Sequence, residues 1–372
     1  MRRSLVMVPA WRGQETVAEL DRQASAGQRP RTDYVELARV LDADVLDMRY
    51  LTERAAPATR LVARTAGYVP AQVLEAFLRE RRYDHIVARA DRLGLPLALA
   101  FKLAGRRRDL VLVSVWLSRP KKAVFLSRLK VHTHLGAIVN YGTVQRDHAA
   151  ARLGVPAGKL HVALQPVDER FWRPVDVPAG DYVLSVGSEA RDYPTLVRAM
   201  AGLDVAAELA VGSTVLDPSG DTGAMFGPML GRARAADSRA DVRLHRQLDH
   251  RRLRDLYARA RVVVVPLHDV DFDAGVTTIT EAMAMGRAVV VTRTRGQVDV
   301  VRDGETGLYV PPGDPAALRA AVRYLLDHPA EAARMGRHGR ALAESRHTLD
   351  GWVTAVADVV TARSGRRPRS VS

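Results

Sequence analysis

The chain has 372 residues, 47% of them hydrophobic, enough for two ordinary domains that each bury a core. It contains no cysteine, which excludes disulfides, thiolate metal sites and cysteine nucleophiles. The formal charge of +14 is uneven: residues 1–175 carry 30 Lys or Arg against 17 Asp or Glu, the remainder 26 against 25. Such a first half is either a solvated surface or a face that meets something acidic, such as lipid headgroups or an anionic glycan.

Met1-Arg2-Arg3 followed by Leu5–Val8 has the charge-then-apolar order of a signal peptide, but Pro9 breaks the run early. It reads as a first buried strand, Ser4–Val8. Further apolar, β-branched runs predict strands at 44–48, 85–88, 110–115, 137–140 and 161–164. Helical spacing covers 34–41, 71–81, 95–103 and 144–153. Pro9 to Arg31 is expected to be a long loop, with Gly13 and Gly27 its candidates for close backbone approach.

Residues 169–180, rich in proline with acidic and aromatic residues, predict a linker, after which the alternation restarts. Strands are expected at 182–186, 205–211 and 242–244, and helices at 194–200 and 251–259. The expected organisation is α/β, with two Rossmann-like doubly wound domains, 1–168 and 181–346. Residues 347–363 hold an apolar-faced helix (352–362) able to pack back on the N-terminal domain, and 364–372 form a disordered tail. No 18 apolar residues run together, so no spanning helix is predicted and a cytoplasmic protein is expected.

The most informative stretch runs from Arg261 to Thr292. Arg261–Leu267, nearly all valine and closed by Pro266, predicts a short buried strand, and Ala288–Thr292 predicts another. Between them, Asp273-Ala-Gly-Val-Thr-Thr-Ile-Thr-Glu281 places two carboxylates eight positions apart, one on a loop and one in the helix that the loop feeds. Strand–loop–helix–strand implies a parallel sheet and aims a helix N-terminus at whatever lies beyond the strand ends. Free amides and the helix dipole at Val276–Thr278 favour a phosphate there. Asp273 beside it and Glu281 two turns on describe a pocket for a phosphate flanked by hydroxyls, which is what a nucleotide-sugar presents.

These residues resemble the acidic–seven residues–acidic motif of the family 4 glycosyltransferases, which have the GT-B fold: two Rossmann-like domains facing an interdomain cleft. The resemblance extends to Gly187–Leu196 after the strand 182–186, to Asp303–Pro315, to Tyr141–Gln145 and Leu153–Pro156, and to the junction Val167–Phe171. It implies a retaining, metal-independent transferase of hexosyl type, with no cofactor beyond the nucleotide-sugar co-substrate. Asp273 would contact the donor sugar, Glu281 the ribose, and Gly187, Ser188, Leu248, Gly275, Val276, Thr277 and Thr278 would line the donor. Charge grows on the leaving diphosphate, and preorganised amides with a nearby cation lower that barrier. Arg191 is the nearest cation, because Ser188 stands where the family often has arginine. Family members usually begin the motif with glutamate, so Asp273 is one methylene shorter at the donor sugar.

On the acceptor side, the family's histidine after a central strand is absent following 110–115. Trp116, Ser118 or His134 could take its part, with Gly13 in the first loop, where the family's glycine pair is missing. His132 and His134 share one face of a predicted extended segment, but no third ligand accompanies them, and no metal site is expected. Asp269, Asp271 and Asp273 alternate as in a calcium loop, yet Ala274 and Thr280 stand where glycine and glutamate are needed. The expected reaction moves a sugar from a UDP- or GDP-sugar to a lipid-linked, polysaccharide or secondary-metabolite acceptor. The basic N-terminal half would supply peripheral contact with a membrane or an anionic acceptor, and no nucleic-acid partner is expected. The alternative is a non-catalytic GT-B protein that binds a nucleotide-sugar or a polyanion.

Overall fold

The computed structural model describes residues 3–211 and 241–364. They form two compact units. The first takes the chain up to Ser25, Arg31–Leu164, and the chain from Leu349 onward; the second takes Ala26–Pro30 and Gln165–Thr348. The expected tail lies, from residue 365 on, outside the described residues.

The first unit opens with β1 (Arg3–Met7), α1 (Val17–Ser25), α2 (Asp33–Val40) and β2 (Ala43–Leu46). Helices α3 (Met48–Glu53), α4 (Pro57–Thr65) and α5 (Tyr68–Arg79) lead to β3 (Tyr83–Ala88). Then α6 (Asp91–Leu103), β4 (Asp109–Ser114), α7 (Pro120–Ser127), β5 (Ala137–Asn140), α8 (Thr143–Leu153) and β6 (Leu160–Val162) alternate. The strands make one parallel sheet in the order β2-β1-β3-β4-β5-β6. Alternate strand residues feed two cores, because successive side chains point to opposite faces. Leu5, Ile86, Leu110, Leu112 and Ile138 meet α5 and α6 on one face. Val6, Val87, Val111, Val113 and Val139 meet α2 on the other.

The second unit contains β7 (Tyr182–Val186), α9 (Tyr193–Met200), β8 (Ala206–Val211), β9 (Val242–Arg246), α10 (His250–Arg259) and β10 (Val262–Val265). It continues with α11 (Val276–Ala284), β11 (Val289–Thr292), β12 (Gly307–Val310), α12 (Pro315–Asp327) and α13 (Pro329–Arg346). Its parallel sheet runs β12-β11-β10-β7-β8-β9. The order reverses direction between β7 and β10, which pair through Val183↔Val262 and Leu184↔Val263. In open α/β sheets, ligands bind outside the carboxyl ends of the strands at such a switch point.

The last helix, α14 (Leu349–Thr361), belongs to the first unit. Its buried stripe Trp352, Val353, Val356 and Val360 joins the core with α2, and Asp350 takes Arg31 at 2.7 Å. The Arg89 guanidinium lies 4.8 Å over the Trp352 ring and pairs with Asp33.

Three sequence expectations are corrected. The segment from Pro9 to Arg31 is not all loop: α1 lies inside it, with Leu20 its one buried residue, so its apolar signal is faint. The second strand stops at Leu46, and Asp47 caps α3 by accepting the Tyr50 amide at 2.8 Å. His132 and His134 sit in a short 3-10 turn, Val131–His134, not an extended segment, because Lys130 adopts φ 47°. Among the described residues no helix is long and apolar enough to cross a membrane.

Candidate active site

The switch point of the second unit is built by two loops, one leaving β7 and one leaving β10. Both strands are continuous apolar runs with every residue buried, so the loops start from fixed positions. Gly187 follows β7 at φ 99°, and Gly275 precedes α11 at φ 78°.

Arg191 lies beneath both glycines. Its Nε donates to Val186 O at 2.9 Å, Nη1 to Glu189 O at 3.0 Å, and Nη2 to Thr278 Oγ1 at 3.0 Å. The side chain is buried, which pulls its pKa below the usual arginine value. A Cβ on Gly187 would come within 2.6 Å of Nη2, and one on Gly275 within 3.3 Å of Nη1. The backbone therefore passes over the guanidinium at the two places where only glycine leaves room. Asp192 caps α9 instead of serving as a counter-ion: its carboxylate accepts the Thr195 amide at 3.1 Å and hydroxyl at 2.7 Å.

Helix α11 begins at Val276, so the amides of Val276, Thr277 and Thr278 have no carbonyl four residues back inside the helix. The Val276 amide turns to Asp273 O at 3.3 Å. Thr277 is exposed, whereas Thr278 is buried and donates its hydroxyl to Val186 O at 3.2 Å. The approach to the helix is braced from the β11 side. Gln297 Nε2 holds Ala274 O at 3.1 Å, and Gly296 packs on the backbone of Phe272, where a Cβ would lie 2.1 Å from its oxygen.

Burial pushes the Asp273 carboxyl up to about 6, with the charge of Asp299 adding to it. Glu281, on α11, is pushed up to about 7 by burial, opposed by a hydrogen bond from Tyr257 and by the charge of Arg191. Tyr257 OH donates to Glu281 Oε2 at 2.9 Å. Tyr257 itself has no exposed surface and stacks edge-on against Trp172, ring centres 5.5 Å apart.

The structure thus brings Gly187, Ser188, Arg191, Asp273, Gly275–Thr278 and Glu281 to the carboxyl edge of one sheet. Leu248 lies on the same edge, in the connection that leaves β9. In the first unit Gly13 follows β1, and Trp116 and Ser118 follow β4, again at carboxyl ends. Gly13 has φ 77° with open space around its Cα. Ser118 is held by Gln145, which accepts its amide at 3.2 Å and donates to its hydroxyl at 3.2 Å. One face of Trp116 carries the Arg119 guanidinium at 4.0 Å. His134 is not brought to them: it precedes β5 at the opposite edge of the sheet, its Nδ1 2.9 Å from Thr133 Oγ1. Among the described residues no group of three His, Cys, Asp or Glu could hold a metal ion.

Sequence reasoning missed Tyr257, Gln297 and Gly296. The signal for Tyr257 was present in Leu253, Tyr257 and Ala260, an inward stripe on an otherwise charged helix. Gln297 and Gly296 carried no spacing cue.

The two-sheet parallel fold is shared with glycosyltransferases of GT-B type, and part of the second unit matches their sequence. Residues 218–328 match the family model described as "Glycosyl transferases group 1". The chain is 27% identical over 393 residues to the D-inositol 3-phosphate glycosyltransferase of Xylanimonas cellulosilytica, covering 96% of this chain and 90% of that protein. It is 38% identical over 124 residues to the glycogen synthase of Mycobacterium tuberculosis, a match spanning 33% of this chain and only 29% of that relative. Among solved structures, sucrose-phosphate synthase from Thermosynechococcus elongatus superposes with a TM-score of 0.73 at 17% identity, over 98% of this chain and 99% of that one. Anabaena HepE in complex with UDP-glucose gives 0.70 at 16% identity, over 98% and 100%.

Proposed function

We propose that the protein is a retaining, metal-independent glycosyltransferase that moves a hexosyl group from a UDP- or GDP-sugar to a lipid-linked or otherwise anionic acceptor. The observation that carries this reading is the convergence of a buried cation, a glycine-lined helix N-terminus and two half-buried carboxylates at one switch point. The diphosphate rests on the amides of Val276–Thr278 above Arg191, which stabilise the charge that develops as the C1–O bond breaks. Asp273 holds hydroxyls of the sugar, and Glu281, aligned by Tyr257, holds the ribose. Residues 181–346 bind the donor in this reading, and residues 1–168, with Gly13, Trp116 and Ser118 at their strand ends, bind the acceptor. Family naming of D-inositol 3-phosphate glycosyltransferases and a neighbour solved with UDP-glucose support a sugar nucleotide as donor.

The test is nucleoside diphosphate release from UDP- and GDP-sugars across an unbiased acceptor panel, paired with titration calorimetry. Glu281→Ala is expected to weaken nucleotide affinity strongly, and Asp273→Ala to lose turnover more than affinity. Tight nucleotide binding without release on any acceptor would turn the reading into that of a non-catalytic binding protein. Unchanged affinity in the Glu281 variant would sink the ribose assignment.

A further inference from the structure

The first sheet has a switch point of its own. In the order β2-β1-β3 the chain turns back across β1, so that β2 and β3 lie on opposite sides of it. The crevice at the carboxyl ends of β1 and β3 is where such a sheet takes a ligand. The two strands stay paired up to its floor, where the Arg89 amide donates to Met7 O at 2.9 Å. The Arg89 guanidinium is engaged by Asp33 and Tyr141. The loop after β1, residues 8–16, brings a different group to the crevice, the indole of Trp11.

That loop is pinned on both sides of Trp11. Gln72, on α5 and with no exposed surface, donates from Nε2 to Val8 O at 2.6 Å and to Leu46 O at 2.7 Å. Its Oε1 accepts the Ala10 amide at 3.1 Å. Beyond the ring, Arg12 Nε donates to Tyr68 OH at 3.2 Å, and the Gln14 amide turns back to Trp11 O at 3.3 Å. Gln14 Oε1 in turn accepts the Met48 amide at 3.0 Å. The backbone that carries Trp11 is fixed before any ligand arrives, which lowers the ordering cost of binding.

The side chain is less enclosed than its backbone anchors. Of the four tryptophans, Trp172 and Trp352 are 2% and 3% exposed, whereas Trp11 and Trp116 are half-buried and follow strands at the carboxyl edge of this sheet. One face of Trp116 is covered by Arg119 at 4.0 Å. Trp11 is followed by Arg12, Gln14, Glu15 and Thr16, so a flat apolar ring is bordered by hydrogen-bonding side chains. A pyranose matches that combination. Its axial C–H groups lie against the electron-rich indole face, and its hydroxyls meet the polar border. A planar aromatic molecule would cover the ring and leave the border unmatched.

We propose that Trp11 is the surface on which a pyranose ring of the acceptor stacks, so that the acceptor is itself a glycoside. This rests on the acceptor half of the function proposed above and narrows it to sugar-bearing acceptors.

In the experiment, the full chain is isotope-labelled at its tryptophan indole nitrogens and followed by magnetic resonance. It is titrated with methyl pyranosides of glucose, galactose and mannose, with their octyl glycosides, and with coumarin as a sugar-free aromatic. Trp11→Tyr assigns the Trp11 signal by its disappearance. At least one sugar is expected to shift that signal. Trp11→Leu should weaken the affinity of that sugar roughly twentyfold, the worth of the apolar area it covers on the ring. Trp11→Tyr keeps a flat face and should retain most of the affinity. Both variants should keep the wild-type affinity for nucleoside diphosphate, which the second unit binds in the reading above. Preference for octyl glycosides places the stacked sugar on a lipid, and equal affinity for methyl glycosides places it on a soluble glycan; either supports the stacking. No shift with any sugar, a shift with coumarin but no sugar, or full sugar affinity in Trp11→Leu overturns the proposal. Sugar stacking in a chain that binds no nucleoside diphosphate would leave Trp11 in place and remove the donor reading, and nucleotide binding without any sugar response would do the reverse.

Discussion

Tyr257 donates a hydrogen bond from its hydroxyl to Glu281 Oε2 across 2.9 Å, from a side chain with no exposed surface. The pair joins α10 to α11, and Trp172 closes over the tyrosine from the chain that enters the second unit. Arg191 reaches the same helix one turn earlier through Thr278. Cation, threonine, tyrosine and glutamate are therefore positioned by packing, before any ligand arrives. Such preorganisation removes reorganisation cost from a developing charge.

Removing the tyrosine hydroxyl should make Glu281 harder to ionise, because its hydrogen bond is the first influence holding the carboxyl down against burial. Tyr257→Phe is expected to weaken UDP or GDP binding near pH 7 by about 0.5–1.5 kcal/mol, the net worth of one hydrogen bond. The loss should shrink above pH 8, where Glu281 is ionised in both proteins. Calorimetry over pH 6–9 checks this, and two parallel affinity profiles would refute the positioning role.

Glu281 also makes the unliganded protein sensitive to pH. Burial pushes its carboxyl up to about 7 in the folded protein, above its ordinary value of 4.5, so the folded state holds the proton more tightly. The associated stability is fully present below pH 4.5 and is lost as pH rises towards 7. Asp273, raised from 3.8 to about 6, acts in the same direction. Glu281→Gln should flatten the fall by on the order of 1–3 kcal/mol, read as the urea midpoint from pH 4.5 to 8. A wild-type midpoint that climbs through this window in step with the variant would contradict the assignment.

Much of the candidate site's local structure could be read in advance, because its parts are close in sequence. The all-valine strands at 262–265 and 289–291, Pro266, and the glycine before α11 announce a buried strand, a loop and a helix start within thirty residues. Arg191 was visible as a cation, but its burial under two glycines depends on β7 and β10 being neighbours, a fact of sheet order. Tyr257 escaped because α10 is mostly charged, and its short apolar stripe is outweighed by the arginines around it. In the first unit, the positive φ at Lys130 opens the 3-10 turn that holds His132 and His134. No periodicity in the sequence reports a turn of that kind. The raised carboxyl values belong to the same class, since desolvation is set by residues distant in sequence.

Gly336, on α13, supports the motif helix from behind. A Cβ there would stand 2.1 Å from Gly286 O, at the turn that ends α11, and backbone cannot yield as a flexible side chain does. Gly336→Ala should destabilise the protein by about 1–3 kcal/mol through overpacking. Gly304→Ala is a control at another glycine, with open space around it but φ 74°, where strain alone costs about 1 kcal/mol. The denaturant midpoint is the readout, and equal losses in the two variants would show that close packing at Gly336 adds nothing.

Arg191 has two separable duties, and two substitutions divide them. As a strut, it bridges Val186 O, Glu189 O and Thr278 Oγ1 with a planar fork that a lysine ammonium cannot reproduce. Arg191→Lys should therefore keep the charge yet lose about 2–4 kcal/mol of stability, because carbonyls are left unpaired in a buried site. In the proposed function it stabilises the diphosphate leaving group as a cation under the helix N-terminus, and Arg191→Met removes that charge while keeping most of the volume. Replacing a buried ionic group by a well-packed apolar one can be close to neutral for folding. The methionine variant is then expected to unfold nearer to wild type than the lysine variant, but to turn over about a hundredfold more slowly, the scale of losing one preorganised electrostatic contact. Nucleoside diphosphate release and urea midpoints on both proteins decide the matter. Turnover surviving in Arg191→Met would reduce Arg191 to a strut and shift leaving-group stabilisation onto the amides of Val276–Thr278.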